Sequence, residues 1–334
     1  MNMKYNWAVL GCGNIARKFC SDLKLLKNAN LYATASRNLE KAQNFASDLG
    51  FEVAYGSYEE MVKDPDVDVV YIATPHSYHH EHALLCLNHK KAVLCEKAFA
   101  MNKKEVEEMI ECAKDNSTFL MEAFWTMFQP NFNKAMEILK SGELGNLKFV
   151  RSDFSFNATF DKEKRLYNIK LGGGSLLDIG IYPVFAALTA LGVPDTIKTF
   201  ADFSETGSEE SMSIIFKYNN GSMANLTSSF ACYSPIQTEY YCEKGHLTLN
   251  PRWFTPTDIT VWKEGGKETR ISNMTKEGSG YQYEAAHVME CLDAAKIESD
   301  KMTWQISLDL VSILDRIRVD GGVFYPNHDK DLFF

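Results

Sequence analysis

Three short stretches hold residues whose types and spacing could do chemistry. Residues 11–16 read G-C-G-N-I-A, directly after an apolar run and at the start of a helical one. In such a G-x-G-x-x-A pattern Gly11 permits a tight turn and Gly13 lets the backbone approach a pyrophosphate. Ala16 keeps helix and strand close. Asn14 and Ile15 open the helix, whose free N–H groups and positive dipole end suit phosphate. A plain glycine turn is the other reading. The second stretch is AVLCEK, which ends in Glu96 and Lys97. At the C-terminal edge of a parallel sheet these two stand where ligands bind, and a buried ammonium there needs a partner. The third is GGGSLLDIGIYP at 172–183, with Asp178 and Tyr182 spaced i,i+4 on one helix face.

The type of dinucleotide is set at the end of the second strand, Ala35-Ser36-Arg37-Asn38. An NAD site usually has an acid there for the ribose hydroxyls. Here Ser36 can donate to a 2′-phosphate, and Arg37 can pair with it and stack on the adenine. The expectation is NADP. If Arg37 is only a solvated surface residue, NAD serves as well.

These residues need elements to hold them. WAVLG reads as a strand, and NIARKFCSDLKLL as a helix with Ile15, Phe19, Leu23 and Leu26 in period. LYATAS is the next strand. A helix follows, with Asn38 as its N-cap and Gly50 as its stop. SYEEMVKDP is a short helix ended by Pro65. VDVVYIATP, KAVLCEK and TFLMEAF are strands alternating with helices. Alternation with strands apolar on both faces implies a parallel sheet covered by helices. Beyond about residue 120 the pattern changes to runs near 196–203, 211–218, 222–230, 236–243, 246–250 and 258–263, several joined by short turns. The fold class expected is α/β: an N-terminal Rossmann, doubly wound parallel sheet over 1–123, and a C-terminal α+β domain over 124–334 with a large, mostly antiparallel sheet. SLLDIGIYPVFAALTALG is expected as one helix, with YQYEAAHVMECLDAA and WQISLDLVSILDRIRV as the closing pair.

Taken together, GCGNIA, IATPHSYHH, LCEKA, GGGSLLDIGIYP and the closing GVFYP resemble the Gfo/Idh/MocA oxidoreductases over almost the whole chain. The subgroup resembled has Tyr where other members carry a catalytic His. The resemblance implies that Lys97 lies beside the nicotinamide and the reacting oxygen, with Glu96 next to it. It implies that Tyr182 is the acid/base, supported by Asp178. Thr74, Pro75, His76 and His79 match positions along the cofactor, and Trp125 an aromatic position of the substrate cleft. Two departures stand out: Ala98 replaces the Pro of E-K-P, loosening the backbone after Lys97, and His76 replaces the Asn of T-P-N. The chemistry implied is hydride transfer by the nicotinamide, with the protein positioning the substrate and handling one proton. A tyrosine with a pKa of about 10 is a poor base unless a cation stabilises its phenolate, and Lys97 could supply that cation. In the reducing direction Tyr182 protonates the developing alkoxide. Otherwise Tyr182 is a packed core aromatic.

Composition narrows the partners. The net charge of −9 and the lack of a basic block exclude a phosphate-backbone partner. The longest apolar runs are strand-sized, so no membrane span is expected. The first residues do not read as a signal peptide. Eight scattered cysteines without a C-x-x-C pair fit reduced thiols and a cytoplasmic protein. His76, His79, His80 and His82 lack the Cys or carboxylate pattern of a metal site, so no metal is expected. The aromatic run over 124–160 suits sugars or cyclic diols with apolar faces, which adds Phe154 to the substrate candidates that the resemblance implies, Trp125 and Tyr182. Asn157, Arg165, Tyr167, Asn168 and Asp178 are candidates for hydroxyl recognition, and Trp253 and Phe254 could reach a cleft, this chain's or a partner's. The partners expected are a small-molecule substrate and a second copy of the chain, as a dimer or tetramer formed through the C-terminal sheet. The competing reading is a non-catalytic NAD(P)-binding sensor. A sensor would be free to lose Lys97 or Tyr182, and both are present.

Overall fold

The computed structural model describes residues 4–330. Two compact units are present. One is the chain up to Trp125 with Lys276–Leu308, and the other is Thr126–Thr275 with the chain from Asp309 on.

In the first unit strands and helices alternate: β1 (Tyr5–Leu10), α1 (Asn14–Leu23), β2 (Ala29–Ala35), α2 (Leu39–Leu49), β3 (Val53–Tyr55), α3 (Tyr58–Lys63), β4 (Val69–Ile72), α4 (His79–Asn88), β5 (Ala92–Glu96), α5 (Lys103–Asp115) and β6 (Leu120–Ala123). The six strands are parallel in the order β3-β2-β1-β4-β5-β6. Every residue of β4, β5 and β6 is buried, as in a sheet covered on both faces. The side chain of Asn38 accepts from Lys41 N at 3.0 Å, and Gly50 closes α2 in the left-handed region. Strand order reverses between β1 and β4, which makes their C-terminal ends the binding crevice of a doubly wound sheet. The edge strand β3 lies outside the sequence expectation. It has three half-buried residues, too few for a periodic signal.

The second unit begins with α6 (Pro130–Ser141) and β7 (Leu147–Ser155). A π-helical turn, Leu176–Gly180, then runs into α7 (Ile181–Leu191). Seven strands follow: β8 (Thr196–Phe203), β9 (Glu209–Lys217), β10 (Met223–Ser229), β11 (Thr238–Cys242), β12 (Gly245–Leu249), β13 (Ile259–Lys263) and β14 (Thr269–Ile271). The sheet order is β14-β13-β12-β11-β7-β10-β9-β8, with β7/β10 parallel and the other described pairings antiparallel. Residues of β8 and β10 alternate between buried and exposed, as in a sheet with one wet face. Two expectations need correction here. The single helix starts as a π turn. And among the described residues Ile169–Leu191, with a mean hydropathy of 1.5, is long and apolar enough to cross a membrane. Its window is 83% buried, so the apolar composition serves the core of this unit.

The remaining helices are α8 (Tyr281–Asp293) and α9 (Trp304–Gly321). A single boundary at 123/124 does not anticipate that Lys276–Leu308 rejoins the first unit. Buried polar groups make that return. Asp22 on α1 accepts from Ser279 N and Tyr281 N at 2.8 and 3.0 Å, which caps α8. Ile297 O accepts from Leu120 N at 3.1 Å, and Trp304 Nε1 donates to Leu120 O at 2.9 Å.

Glu122 on β6 belongs to the same seam. Its carboxyl accepts from Phe99 N at 3.1 Å and Ser307 Oγ at 2.7 Å. Burial pushes it from 4.5 up to about 7 despite those bonds. A carboxyl raised in the fold is best tolerated protonated, so stability is lost as pH rises from its unfolded value through about 7. Glu122→Gln removes the titrating carboxyl. Between pH 5 and 8 the variant should lose less stability than the parent, by at most about 3 kcal/mol. Urea unfolding at the two pH values measures this, and equal losses in both proteins would contradict it.

Candidate active site

The turn after β1 is built around one close approach. Gly11 has φ +105°, and a Cβ there would stand 2.9 Å from Ala73 O and 3.1 Å from Thr74 Cγ2. Only glycine fits. Gly13 is different, since its Cβ would meet nothing of the protein nearer than Ala73 O at 4.0 Å. The space beside Gly13 is therefore left open rather than filled by the fold. It lies at the N-terminus of α1, which has no side-chain cap and no acidic residue in its first turn. Ala16 is fully buried behind it, while Asn14 is exposed and Ile15 half-buried. Open N–H groups, room for backbone approach and no opposing carboxylate fit a dinucleotide pyrophosphate.

At the end of β2, Ser36 is buried and its Oγ accepts from Asn38 N at 3.3 Å. Arg37 is exposed, with its guanidinium 5.4 Å from the centre of the Tyr78 ring. Tyr78 stacks in turn on His82, centroids 5.7 Å apart. These side chains line a cavity of ≈530 Å³ together with Ser57, Tyr58, Glu59 and Glu81. Burial holds His82 neutral, its pKa down to about 4. Arg37 is thus a fixed cation facing a cavity that also carries two carboxylates.

At the ends of β4 and β5, His79 is fully buried, and its two ring nitrogens lie 2.8 Å from Thr74 O and from Ala98 O. The carbonyls can only accept, and a neutral ring has one N–H, so the tautomer sets which of the two carbonyls receives it. His79 braces two loops. The Lys97–Ala98 peptide is cis and Ala98 is 1% exposed. Ala98, where the family has proline, is packed, and its carbonyl lies against His79 Nδ1. His76 is buried edge-on against His79, and Pro75 precedes it in extended conformation. Glu96 is buried and accepts from the Tyr71 hydroxyl, a phenol held well above its ordinary pKa by burial and then by the Glu96 charge. Lys97 is half-buried at the end of the strand. Trp125 stacks flat on Tyr281, centroids 4.1 Å apart, so its ring is ordered by the returning segment.

In the second unit the triple-glycine turn lies over a buried acid. Glu209 is fully buried; Oε1 accepts from Leu176 N at 2.8 Å, and burial pushes the carboxyl up to about 7. Gly174 has φ +133°, and a Cβ there would run into the Glu209 carboxylate. A Cβ on Gly173 would stand 2.7 Å from Arg165 O. Tyr325, from the closing GVFYP, donates to Gly173 O at 3.0 Å. Behind it Arg318 is fully buried between Asp315 and Asp329. The turn so held starts the π turn. There Asp178 receives two bonds from Arg165, at 2.8 and 3.3 Å. Tyr182 is 6% exposed, with its ring 5.6 Å from Phe154, 5.0 Å from Phe254 and 6.3 Å from Trp253. Phe154 stacks on Phe254 at 4.5 Å.

The structure thus gathers Gly11, Gly13, Ser36, Arg37, Thr74, His79, Glu96 and Lys97 at one sheet edge of the first unit. Phe154, Asp178 and Tyr182 gather in the second. Tyr58, Tyr78, Glu209 and Tyr325 were not among the sequence candidates. Nothing in sequence ties Glu209 or Tyr325 to the G-G-G turn. Trp253 and Phe254 reach Tyr182 of their own chain.

A parallel sheet whose strand order reverses, with an uncapped helix N-terminus beside Gly13, defines a dinucleotide-binding Rossmann unit. The family model for the oxidoreductase family with NAD-binding Rossmann fold matches residues 5–124, and that for the GFO/IDH/MocA C-terminal domain matches residues 132–248. The chain belongs to the Gfo/Idh/MocA oxidoreductase family. It is 37% identical over 335 residues to trans-1,2-dihydrobenzene-1,2-diol dehydrogenase of Xenopus tropicalis, covering 97% of this chain and 100% of the relative. Among solved structures, a 3-ketoreductase from Actinomadura kijaniata in complex with NADP and TDP-benzene superposes with a TM-score of 0.85, at 23% identity over 95% of this chain and 98% of the other. A levoglucosan dehydrogenase in complex with NADH and L-sorbose gives 0.86, at 17% identity over 96% and 97%. With its family and its curated relative together, this chain is an NAD(P)-binding dehydrogenase acting on CH–OH groups.

Substituting Gly174 tests the second-unit turn. Gly174→Ala meets both an unfavourable φ and the Glu209 carboxylate, whereas Gly50→Ala meets only a left-handed backbone, φ +78°, with nothing within 4 Å. Gly50→Ala should cost about 1 kcal/mol and Gly174→Ala at least about 2 kcal/mol more. Chemical denaturation compares them, and equal costs would show that Glu209 moves aside freely.

Proposed function

We propose that this enzyme transfers a hydride between NADP(H) and a hydroxyl or carbonyl carbon of a cyclic diol or carbohydrate. The observation that carries the cofactor reading is the acid-free end of β2, where Arg37 lies over Tyr78 at a cavity. A 2′-phosphate would pair with the guanidinium, and an adenine would find aromatic faces. For the substrate, the aromatic collar of Phe154, Trp253 and Phe254 around Tyr182 suits a ring with an apolar face. The dihydrodiol dehydrogenase name of the relative at 37% identity agrees with that class.

When bound, the nicotinamide supplies or accepts the hydride. The chain manages the proton. In reduction the Tyr182 hydroxyl gives its proton to the developing alkoxide, and in oxidation the phenolate takes it back. The Lys97 ammonium lowers the cost of that phenolate and of the alkoxide. Asp178, held by Arg165, supports the Tyr182 hydroxyl end of the site. His79 is a positioning residue, because it fixes the carbonyls on both sides of the strand ends. The exposed sheet face carrying Phe200, Ile215 and Met223 is the surface through which we propose two copies associate. The free thiols accord with a cytoplasmic setting.

Titration of nicotinamide fluorescence with NADPH and NADH tests the cofactor. NADPH should bind more tightly, and Arg37→Ala should weaken NADPH at least about tenfold while leaving NADH unchanged. Equal affinities, or an indifferent mutant, would overturn the NADP reading. For the chemistry, Tyr182→Phe and Lys97→Ala should each lower turnover of trans-dihydrodiols or sugars by roughly 10²–10⁴ while NADPH still binds. Turnover retained in Tyr182→Phe would remove it as the acid/base.

A further inference from the structure

Behind the strand end that carries Lys97, the first unit buries a patch of glutamates. Glu96 on β5, Glu122 on β6 and Glu284 on α8 are 7%, 2% and 0% exposed. The charge of Glu96 raises the carboxyls of both Glu122 and Glu284, so the three are neighbours. The charge of Lys97 acts on Glu122 in the opposite sense, which puts the ammonium beside the same patch. Asp22 on α1 adds a further acid toward Glu284. Carboxyls this close in a dry interior cannot all be ionised.

Hydrogen bonds decide which of them carries the charge. Glu284 stands in the first turn of α8, but the N–H groups of that turn are spent elsewhere. Asp22 takes those of Ser279 and Tyr281, Gln282 Oε1 takes that of Gly280 at 3.0 Å, and Gly280 O takes that of Tyr283 at 3.3 Å. Neither oxygen of Glu284 has a partner among the described residues. Burial, then the charges of Glu96 and Asp22, push Glu284 well above the usual carboxylate range, so it holds its proton. Glu96 differs, because its carboxyl accepts from the Tyr71 hydroxyl. That phenol cannot surrender its proton: burial and the charges of Glu96 and Glu284 hold it well above its ordinary pKa. Its ring is fully buried and stacked on Phe19, centroids 3.8 Å apart and 12° from parallel. Tyr71 is thus a fixed donor aimed at Glu96.

We infer that Tyr71 is a positioning residue for the reaction: by donating to Glu96 it places the buried negative charge next to Lys97 rather than on Glu284. Glu96 directly precedes Lys97 in the chain, and its carboxylate keeps the half-buried ammonium protonated at the strand end. On Glu284 the same charge would sit on α8 instead. A phenylalanine at position 71 would pack as well and donate nothing. The inference rests on the reading of Lys97 as the cation at the reacting oxygen.

Tyr71→Phe keeps the ring and its stack on Phe19 and removes only the hydroxyl. It should lower kcat at least about tenfold, while NADPH affinity and substrate KM stay within about twofold. Glu96→Gln should give the same loss, and adding Tyr71→Phe to it should cost nothing more, because the hydroxyl then has no charge to place. Undiminished kcat in Tyr71→Phe, or losses that multiply in the double variant, overturns the inference. Should Tyr71→Phe fail to fold, parent-like kcat in Glu96→Gln overturns it equally. Turnover retained in Lys97→Ala would remove the underlying reading of Lys97. Turnover lost there but kept in Tyr71→Phe removes this inference alone. Infrared difference spectra locate the charge without any assay of turnover. At about pH 9 the acids raised only to about 7, Glu122 and Glu209, are ionised. The parent should then still show a carboxylic-acid C=O band, and Glu284→Gln should lose it. No such band in the parent would place the charge on Glu284 and overturn the inference.

Discussion

Between Gly11 and the carbonyl of Ala73 there is no room for a side chain. That close approach sits where the strand order of the parallel sheet reverses, so two neighbouring strands send their following segments to opposite faces. The chain leaving β1 must turn within a residue or two, and the positive φ of Gly11 is how it does so. Once it has turned, α1 starts with its N–H groups uncovered, and Thr74 and His79 follow from the adjacent strand. His79 then ties the end of β4 to the loop after β5, which carries Lys97. The arrangement of the first unit's candidate residues follows from one backbone contact and one bridging imidazole.

The second unit solves a similar problem by other means. Its glycine turn is crowded by a buried acid rather than by a carbonyl. Glu209 occupies the volume a Gly174 side chain would need and accepts the Leu176 N–H at the start of the π turn. Tyr325 comes back from the far end of the sequence to hold Gly173, and its own position depends on Arg318 clamped by Asp315 and Asp329. A buried ion pair is a weak source of net stability but costs heavily when one partner is removed. Such a cluster specifies a single position for the closing segment, and through it the direction in which Asp178 and Tyr182 leave the turn.

Much of this was legible in the residues themselves. Helix period, caps at Asn38 and Gly50, and strands apolar throughout are local properties, written in a window of ten or so residues. The glycine fingerprint is local too, because the turn, the helix start and the phosphate cradle occupy consecutive positions. The acid-free end of β2 and the lysine ending β5 could be read for the same reason. Even the antiparallel character of the second sheet followed from short turns between alternating runs.

What only the tertiary structure decided lies in pairs of residues far apart in sequence. No window contains both Asp22 and Tyr281, or both Leu120 and Trp304, so the return of Lys276–Leu308 to the first unit could not be read from either end. His79 could be placed near the cofactor by its motif, but its work as a brace needs Ala98 in space. Tyr182 could be named from the motif that resembles the family's, whereas the aromatic collar depends on Trp253 and Phe254, some seventy residues on. Periodicity and turn chemistry act over one or two turns of chain, and the sequence by itself determined the elements and the types of group they carry. Burial and hydrogen-bond satisfaction act over the whole fold, and they decided which of those groups meet and in what state of charge.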